Sequence, residues 1–347
     1  MTSLQSRALQ LSAAFLATLA LSCGRNAAGP AAPGTPASPL LRVKVMLSWS
    51  PVSEHAFLYY GIKKGFFRNK GFEVTVLPSR GSTEVARAFE AKTIDFGFIS
   101  GDVLVSSRID GVRIRALATT IHESPTSLYS LASAGIVSPT DLRGKRVGVL
   151  EKSAVYPQYR LFLKRQGIDP ASITEVPTAG SPQELTKGRI DAAIHYTHLV
   201  PTYLRAEGEK INEILLKDYG VEVVSSSLAT TDAMLEDHPK TVAAFVSAFL
   251  HSLDASYNNP DAALEALLEA EPPLKRDPTR ASLLRANELI FTDLAKKRGP
   301  GYLSADDWAQ TQKSLFDAEQ ITQKISTDYF YDERFVDAYR EQAPFVP

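Results

Sequence analysis

Hydrophobic positions Val43, Val45 and Leu47 alternate with Lys44 and Met46, and the run breaks at Trp49-Ser50-Pro51. That period of two predicts a strand. A helical pattern follows, with Ala56, Phe57, Tyr60 and Ile62 on one side, Ser53 placed as its cap, and Gly65 as its stop. After Asn69-Lys70-Gly71, Val74 to Leu77 opens a second β-branched run. Two strands joined by one helix make a right-handed parallel βαβ unit. The turn after its first strand lies at the carboxyl edge of the sheet, where open α/β sheets bind ligands.

The pattern repeats downstream. A turn at Pro78-Ser79-Arg80-Gly81-Ser82 precedes a helix over Thr83 to Ala91, and strands are expected at Asp95 to Ile99 and Ile114 to Ala118. A second series has strands at Thr126 to Ala132, Lys145 to Leu150, Ser172 to Val176, Ala192 to Tyr196 and Ile211 to Leu216. Val221 to Ala229 reads as an extended return, and the rest is helical, including one helix over Thr279 to Lys297. The expected fold is α/β with two lobes, each a mixed sheet flanked by helices and joined by two hinge crossovers. Residues 41–124 and 226–347 form lobe 1 and residues 125–225 form lobe 2, a clam-shell that closes on a small ligand.

The N-terminal segment changes the cellular picture. Arg7 precedes a mostly small and apolar run, Ala8 to Leu21, followed by Ser22-Cys23-Gly24. This reads as a secretory signal over residues 1–22, too short to span a bilayer. Cys23 is the only cysteine, and its setting resembles a bacterial lipobox, with Ala20 where that motif prefers Leu. The alternatives are a lipid anchor on Cys23 and simple cleavage to a soluble exported protein. Residues 23–40, rich in Gly, Ala, Pro, Thr and Ser, read as a flexible tether.

Composition then narrows the partners. Hydrophobic residues make up 44% of the 347, enough to fill two lobes. A net charge of −1 without a basic run argues against nucleic acid. One cysteine makes neither a disulfide framework nor a thiolate metal site, and no cofactor is called for.

The strand-end turns supply Trp49, His55, Arg80, Ser82, Ser100, Asp102, Thr120, His122, Glu123, Glu151, Ser153, Tyr156, His195, Tyr196 and Ser226. Trp49, in a polar turn, suits stacking on a flat ring; the alternative is packing between lobes. Asp102, Glu123 and Glu151 bear on ligand charge. Three carboxylates at one cleft would repel an anion and accept N–H donors from a nitrogen heterocycle, although each alone is as commonly a helix cap or a surface group. Arg80 with Ser82 suits a phosphate or a solvated turn. His55, His122 and His195 lie on separate elements, without the pairing a zinc helix shows. No Gly-x-Ser-x-Gly turn makes Ser153 and His195 a nucleophile and base.

Several stretches carry a family resemblance. Trp49-Ser50-Pro51 with His55 and then Tyr60 to Val74, Thr93 to Gly97, Ser133 to Gly148, and Gly188 to Ala192 resemble periplasmic binding proteins of the thiamine-pyrimidine-precursor type. The resemblance covers nearly all of the chain after the tether. It implies a type 2 periplasmic-binding fold and a monomeric substrate-binding lipoprotein that delivers a heteroaromatic nutrient to an ABC transporter permease. A pyrimidine precursor of thiamine is the first expectation, with riboflavin, sulfonate or nitrate as alternatives in the same superfamily. The superfamily also holds a pyrimidine-synthesising enzyme that carries a lysine and a histidine near the third strand. Ile99-Ser100-Gly101-Asp102-Val103 has neither, so a non-enzyme is expected.

Overall fold

The computed structural model describes residues 39–347 apart from Lys152. The signal, Cys23 and the tether up to residue 38 lie outside the described residues.

Among the described residues ten strands form two five-stranded sheets. The first contains β1 (Leu41–Met46), β2 (Phe72–Leu77), β3 (Phe96–Ile99), β4 (Ile114–Ile121) and β10 (Ser226–Thr231), in the order β2-β1-β3-β10-β4. The second contains β5 (Thr126–Leu131), β6 (Arg146–Val149), β7 (Thr174–Pro177), β8 (Ala192–Tyr196) and β9 (Ile211–Leu215), in the order β7-β6-β8-β5-β9. The predicted βαβ unit is present: β1 and β2 run parallel from Leu41 opposite Phe72 to Met46 opposite Leu77. In both sheets the antiparallel strand between its neighbours is the one that enters from the other lobe. These strands are β10 between β3 and β4, and β5 between β8 and β9. The two crossovers therefore lie between Ile121 and Thr126 and between Tyr219 and Ser226.

Hydrophobic periodicity explains the packing. The helix Pro239–Tyr257 buries Val242, Phe245, Val246, Phe249, Leu250 and Leu253 at helical spacing. Phe245 stacks on Phe96 of β3 at 3.9 Å between ring centroids, and Phe249 meets Phe57 edge-on at 5.3 Å. Each such ring contributes about 1.5–3 kcal/mol relative to an exposed one. Lobe 2 has its own core of Leu128, Val147, Val149, Tyr159, Phe162 and Ile194.

Four local expectations differ from the structure. Ser53 is not a helix cap: it starts the 3-10 turn Ser53–His55, and its hydroxyl lies 2.5 Å from Ser282 Oγ. The extended return starts only at Ser226, because Val221 to Ser225 bonds elsewhere; the Val224 N–H donates to Thr311 Oγ1 and Ser225 N–H to the Ile121 carbonyl. The single helix over 279–297 is two, Arg276–Ile290 and Asp293–Arg298, because Thr292 caps the second through the Ala295 N–H. Within the C-terminal stretch expected to be helical, Phe330 and Asp332 instead bond Ala116 on edge strand β4, and the helix begins at Arg334.

Candidate functional site

Extra pairing beyond β1 and β2 fixes the first turn. The Leu47 N–H donates to the Leu77 carbonyl at 2.8 Å and Ser79 N–H to the Trp49 carbonyl at 3.2 Å. Gly81, at φ 141°, then turns the chain into the helix Ser82–Glu90. Ser82 Oγ accepts from the Ser100 N–H at 3.0 Å, tying this turn to the start of the helix Gly101–Ile109. Gly101 is required there: a Cβ would sit 2.7 Å from Val224 Cβ and 2.9 Å from its carbonyl oxygen. The close approach lets the Gly101 N–H reach that carbonyl and locks the turn to the return crossover.

A small cleft opens at the carboxyl edges of both sheets. Lobe 1 lines it with Ser48, Trp49, Val52, Glu54, Gly81 and Ser82. Leu150, Ser153, Ala154 and Val155, after β6, and His195, Tyr196 and Leu199, at and after the end of β8, face them. The helices Ser82–Glu90 and Val155–Arg165 begin at this cleft, so unpaired backbone N–H groups lie at their first turns.

Among the described residues, the charged group lining the cleft is Glu54. Its carboxylate receives His198 Nε2 at 2.5 Å, and His55 Nε2 lies 3.5 Å from its other oxygen. Burial pushes the Glu54 carboxyl up, but the hydrogen bond from His198 leads the opposing interactions that outweigh it, leaving the group below the usual carboxylate range. Burial pulls His55 and His195 the other way, His195 to about 4, so both are neutral near pH 7. Tyr196 stacks over His198 at 5.7 Å. Its hydroxyl is held above its ordinary value by burial, then by the charges of Asp102 and Glu54.

A second polar group joins the lobes. Gln158, on Val155–Arg165, donates to Asp102 Oδ2 at 3.1 Å and accepts from Ser124 and Thr126 of the first crossover at 2.5 and 2.6 Å. Burial raises the Asp102 carboxyl above its usual value despite these bonds.

Of the residues singled out in the sequence, Trp49, Ser82, Ser153, His195 and Tyr196 line this cleft together. Trp49 also packs against the lobe 2 core. His55 lies behind Glu54 with its ring edge on Phe98, and Ser100 is buried at its helix start. Thr120 and Ser226 are spent on one another, Thr120 Oγ1 donating to the Ser226 carbonyl. Tyr156 donates to Glu175 on the outer face of lobe 2. Arg80 and Glu151 are exposed at a groove between the lobes that shares Ser153 with the cleft, and Arg80 pairs with Glu84. Glu123 pairs with Lys217 beside the hinge, where His122 bonds Asp307. None of the three expected carboxylates lines the cleft, and Glu54 stands there instead. Among the described residues no group of three has the arrangement of a metal site.

Sequence reasoning passed over Glu54, His198 and Gln158. The strand-end rule that selected His195 reaches His198 two residues past β8, and Glu54 adjoins His55 in the turn after β1.

The NMT1/THI5 like family model matches residues 52–263. The chain belongs to this family. Two curated relatives are similar over most of their lengths. The riboflavin-binding protein RibY of Chloroflexus aurantiacus is 24% identical, covering 89% of this chain and 90% of that protein. The formylaminopyrimidine-binding protein of Halalkalibacterium halodurans is 26% identical, covering 77% and 82%. Among solved structures, the periplasmic aliphatic sulphonate binding protein SsuA of Escherichia coli superposes with a TM-score of 0.66 at 12% identity, covering 84% of this chain and 92% of that one. This NMT1/THI5 like chain has the periplasmic binding protein fold. Among its described residues no helix is long and apolar enough to cross a membrane.

Proposed function

We propose that this chain is the substrate-binding component of an ABC importer that captures a small nitrogen heterocycle by cleft closure, with an aminopyrimidine of the thiamine-precursor type as its ligand. The observation that carries the reading is a cleft whose walls come from both lobes, with the flat side chains Trp49 and Tyr196 and the buried carboxylate of Glu54 on one surface. Aromatic faces take a flat ring, and a carboxylate takes its N–H donors. The Asp102–Gln158 bond between the lobes supports closure over the ligand. The names of the riboflavin-binding and formylaminopyrimidine-binding relatives agree with a heteroaromatic ligand.

The signal pattern ahead of Cys23 supports export, with Cys23 acylated and the body held at a membrane surface beside its permease. Metabolic labelling with a palmitate analogue tests this: label on the wild type and none on Cys23→Ala is the expected result.

A flavin is the second reading, because the riboflavin-binding relative aligns over 89% of this chain. A thermal-shift screen against aminopyrimidines, flavins, alkanesulfonates and nitrate separates the classes. A ligand at about a hundred times its dissociation constant adds about 2.7 kcal/mol. An aminopyrimidine is expected to raise the melting temperature, and Trp49→Ala to abolish the rise. A shift with sulfonate or nitrate alone overturns the ligand class. A Schiff-base absorbance after incubation with pyridoxal phosphate would favour an enzyme instead.

A further inference from the structure

Buried charges in proteins are normally paired, yet Glu54 has only histidines within salt-bridge range among the described residues. The His55 ring and the His198 backbone are held in place. The Val52 N–H points at His55 Nδ1 at 3.4 Å, which puts the ring proton on Nε2, facing Glu54. His198 is fixed through its backbone: its carbonyl accepts from Ser282 Oγ, and that hydroxyl also lies 2.5 Å from Ser53 Oγ, next to Glu54. The turns after β1 and β8, one from each lobe, are thereby clamped by a single serine on the helix Arg276–Ile290. Each carboxylate oxygen keeps acceptor capacity beyond its histidine.

We infer that Glu54 determines specificity in the cleft by accepting the two adjacent N–H donors of an amidine edge, and that His198 is its positioning residue. The inference rests on the proposed function and narrows it to a chemical class. An amidine edge, as on a 4-aminopyrimidine carrying its proton on the ring nitrogen next to the amino group, offers two parallel donors to two carboxylate oxygens, the strong bidentate arrangement. The imide edge of a flavin offers one N–H between two carbonyls, whose oxygens would oppose the carboxylate. A sulfonate or nitrate offers no donor and adds like charge.

The experiment is calorimetric titration of the full chain with 4-aminopyrimidine and with pyrimidin-4-one, which replaces the exocyclic donor by an acceptor. Wild type is expected to prefer the amine at least about tenfold, since a mismatched acceptor leaves buried groups unpaired. Glu54→Gln removes or reverses the preference, because its amide donates to the oxo group. His198→Gln, which keeps a donor in reach, retains most of it, and His198→Ala loses it. If Glu54→Gln fails to fold by circular dichroism, the contrast between His198→Gln and His198→Ala decides. An unchanged preference in Glu54→Gln, or in both His198 variants, overturns the assignment. Capture of riboflavin with Glu54→Gln indifferent overturns it while leaving the proposed function standing; capture of an alkanesulfonate alone overturns both.

Discussion

Among the described residues two histidine–carboxylate pairs join distant segments, and they differ mainly in their access to water. In the cleft, His198 and Glu54 approach to 2.5 Å with side chains 0% and 7% exposed. Beside the hinge, His122 and Asp307 approach to 2.7 Å, but the Asp307 side chain is 33% exposed. The His122 ring lies flat on Tyr302 at 3.7 Å, with Arg298 over the other aromatic ring at 4.4 Å. The first carboxylate has lost its hydration and depends on its partners. The second keeps part of its hydration, so its bond braces packing that would hold without it. On the proposed function the same chemistry serves recognition in one setting and bracing in the other, and burial makes the difference.

The largest expected effect follows from removing one partner of the buried pair. His198→Ala strands a buried carboxylate and is expected to cost about 3–5 kcal/mol in urea denaturation. His122→Ala loses a ring stack and a half-solvated bond, about 1–2 kcal/mol. Equal losses would break the comparison. Replacing both Glu54 and His198 by leucine sharpens it: with no stranded charge, stability is expected to recover most of the His198→Ala loss while aminopyrimidine binding stays absent.

A pH titration comes next. An unfolded histidine titrates near 6.5, whereas folded His195 titrates at about 4 because burial disfavours its charged form. Between those values the unfolded chain binds the extra proton, so stability is full above about pH 6.5 and declines as pH falls toward 4. The depressed His55 adds loss of the same sign. Glu54, also depressed, contributes stability that is present above the unfolded carboxylate value and lost only as pH falls below it. For His195 alone the decline amounts to about 3 kcal/mol at most. Denaturation midpoints from pH 7 to 4 are expected to fall steeply in wild type and less steeply in His195→Gln. Identical slopes would remove the cleft from the account of acid sensitivity.

The contrast also explains what was legible in the sequence. The βαβ opening at Val43 to Leu77 was readable because hydrophobic periodicity reports burial directly. The strand-end rule brought Trp49, Ser82, Ser153, His195 and Tyr196 to one cleft because the carboxyl edges of both sheets face it. It did not bring Glu123 and Glu151 into that lining, because topology places a turn but not a side chain. Lys217 holds Glu123 at the hinge, and Glu151 lies exposed at the adjoining groove between the lobes. Glu54 was hidden for the opposite reason: it sits within a short 3-10 turn next to an already conspicuous histidine, and its partner His198 arrives from another lobe 144 residues on. No local pattern encodes such a pair; only the folded register of both sheets does.

The smallest effect belongs to the charges beside the outer pair. Glu123 and Lys217 form a 2.6 Å ion pair between the first crossover and the turn Leu216–Tyr219, with side chains 68% and 37% exposed. An exposed pair of this kind is screened by salt and repays little of the entropy of fixing two long side chains, so Glu123→Gln should change stability by less than about 0.5 kcal/mol. Ligand affinity is the more searching readout. The crossover containing Glu123 also carries Ser124 and Thr126, both bound to Gln158, and Gln158 in turn holds Asp102 of lobe 1. If the outer pair only decorates the crossover, Glu123→Gln binds aminopyrimidine within about twofold of wild type at both low and high salt. A larger, salt-dependent change would mean that this exposed pair biases lobe closure through the Gln158 network, and the division between a recognising pair inside and a bracing surface outside would fail at the hinge.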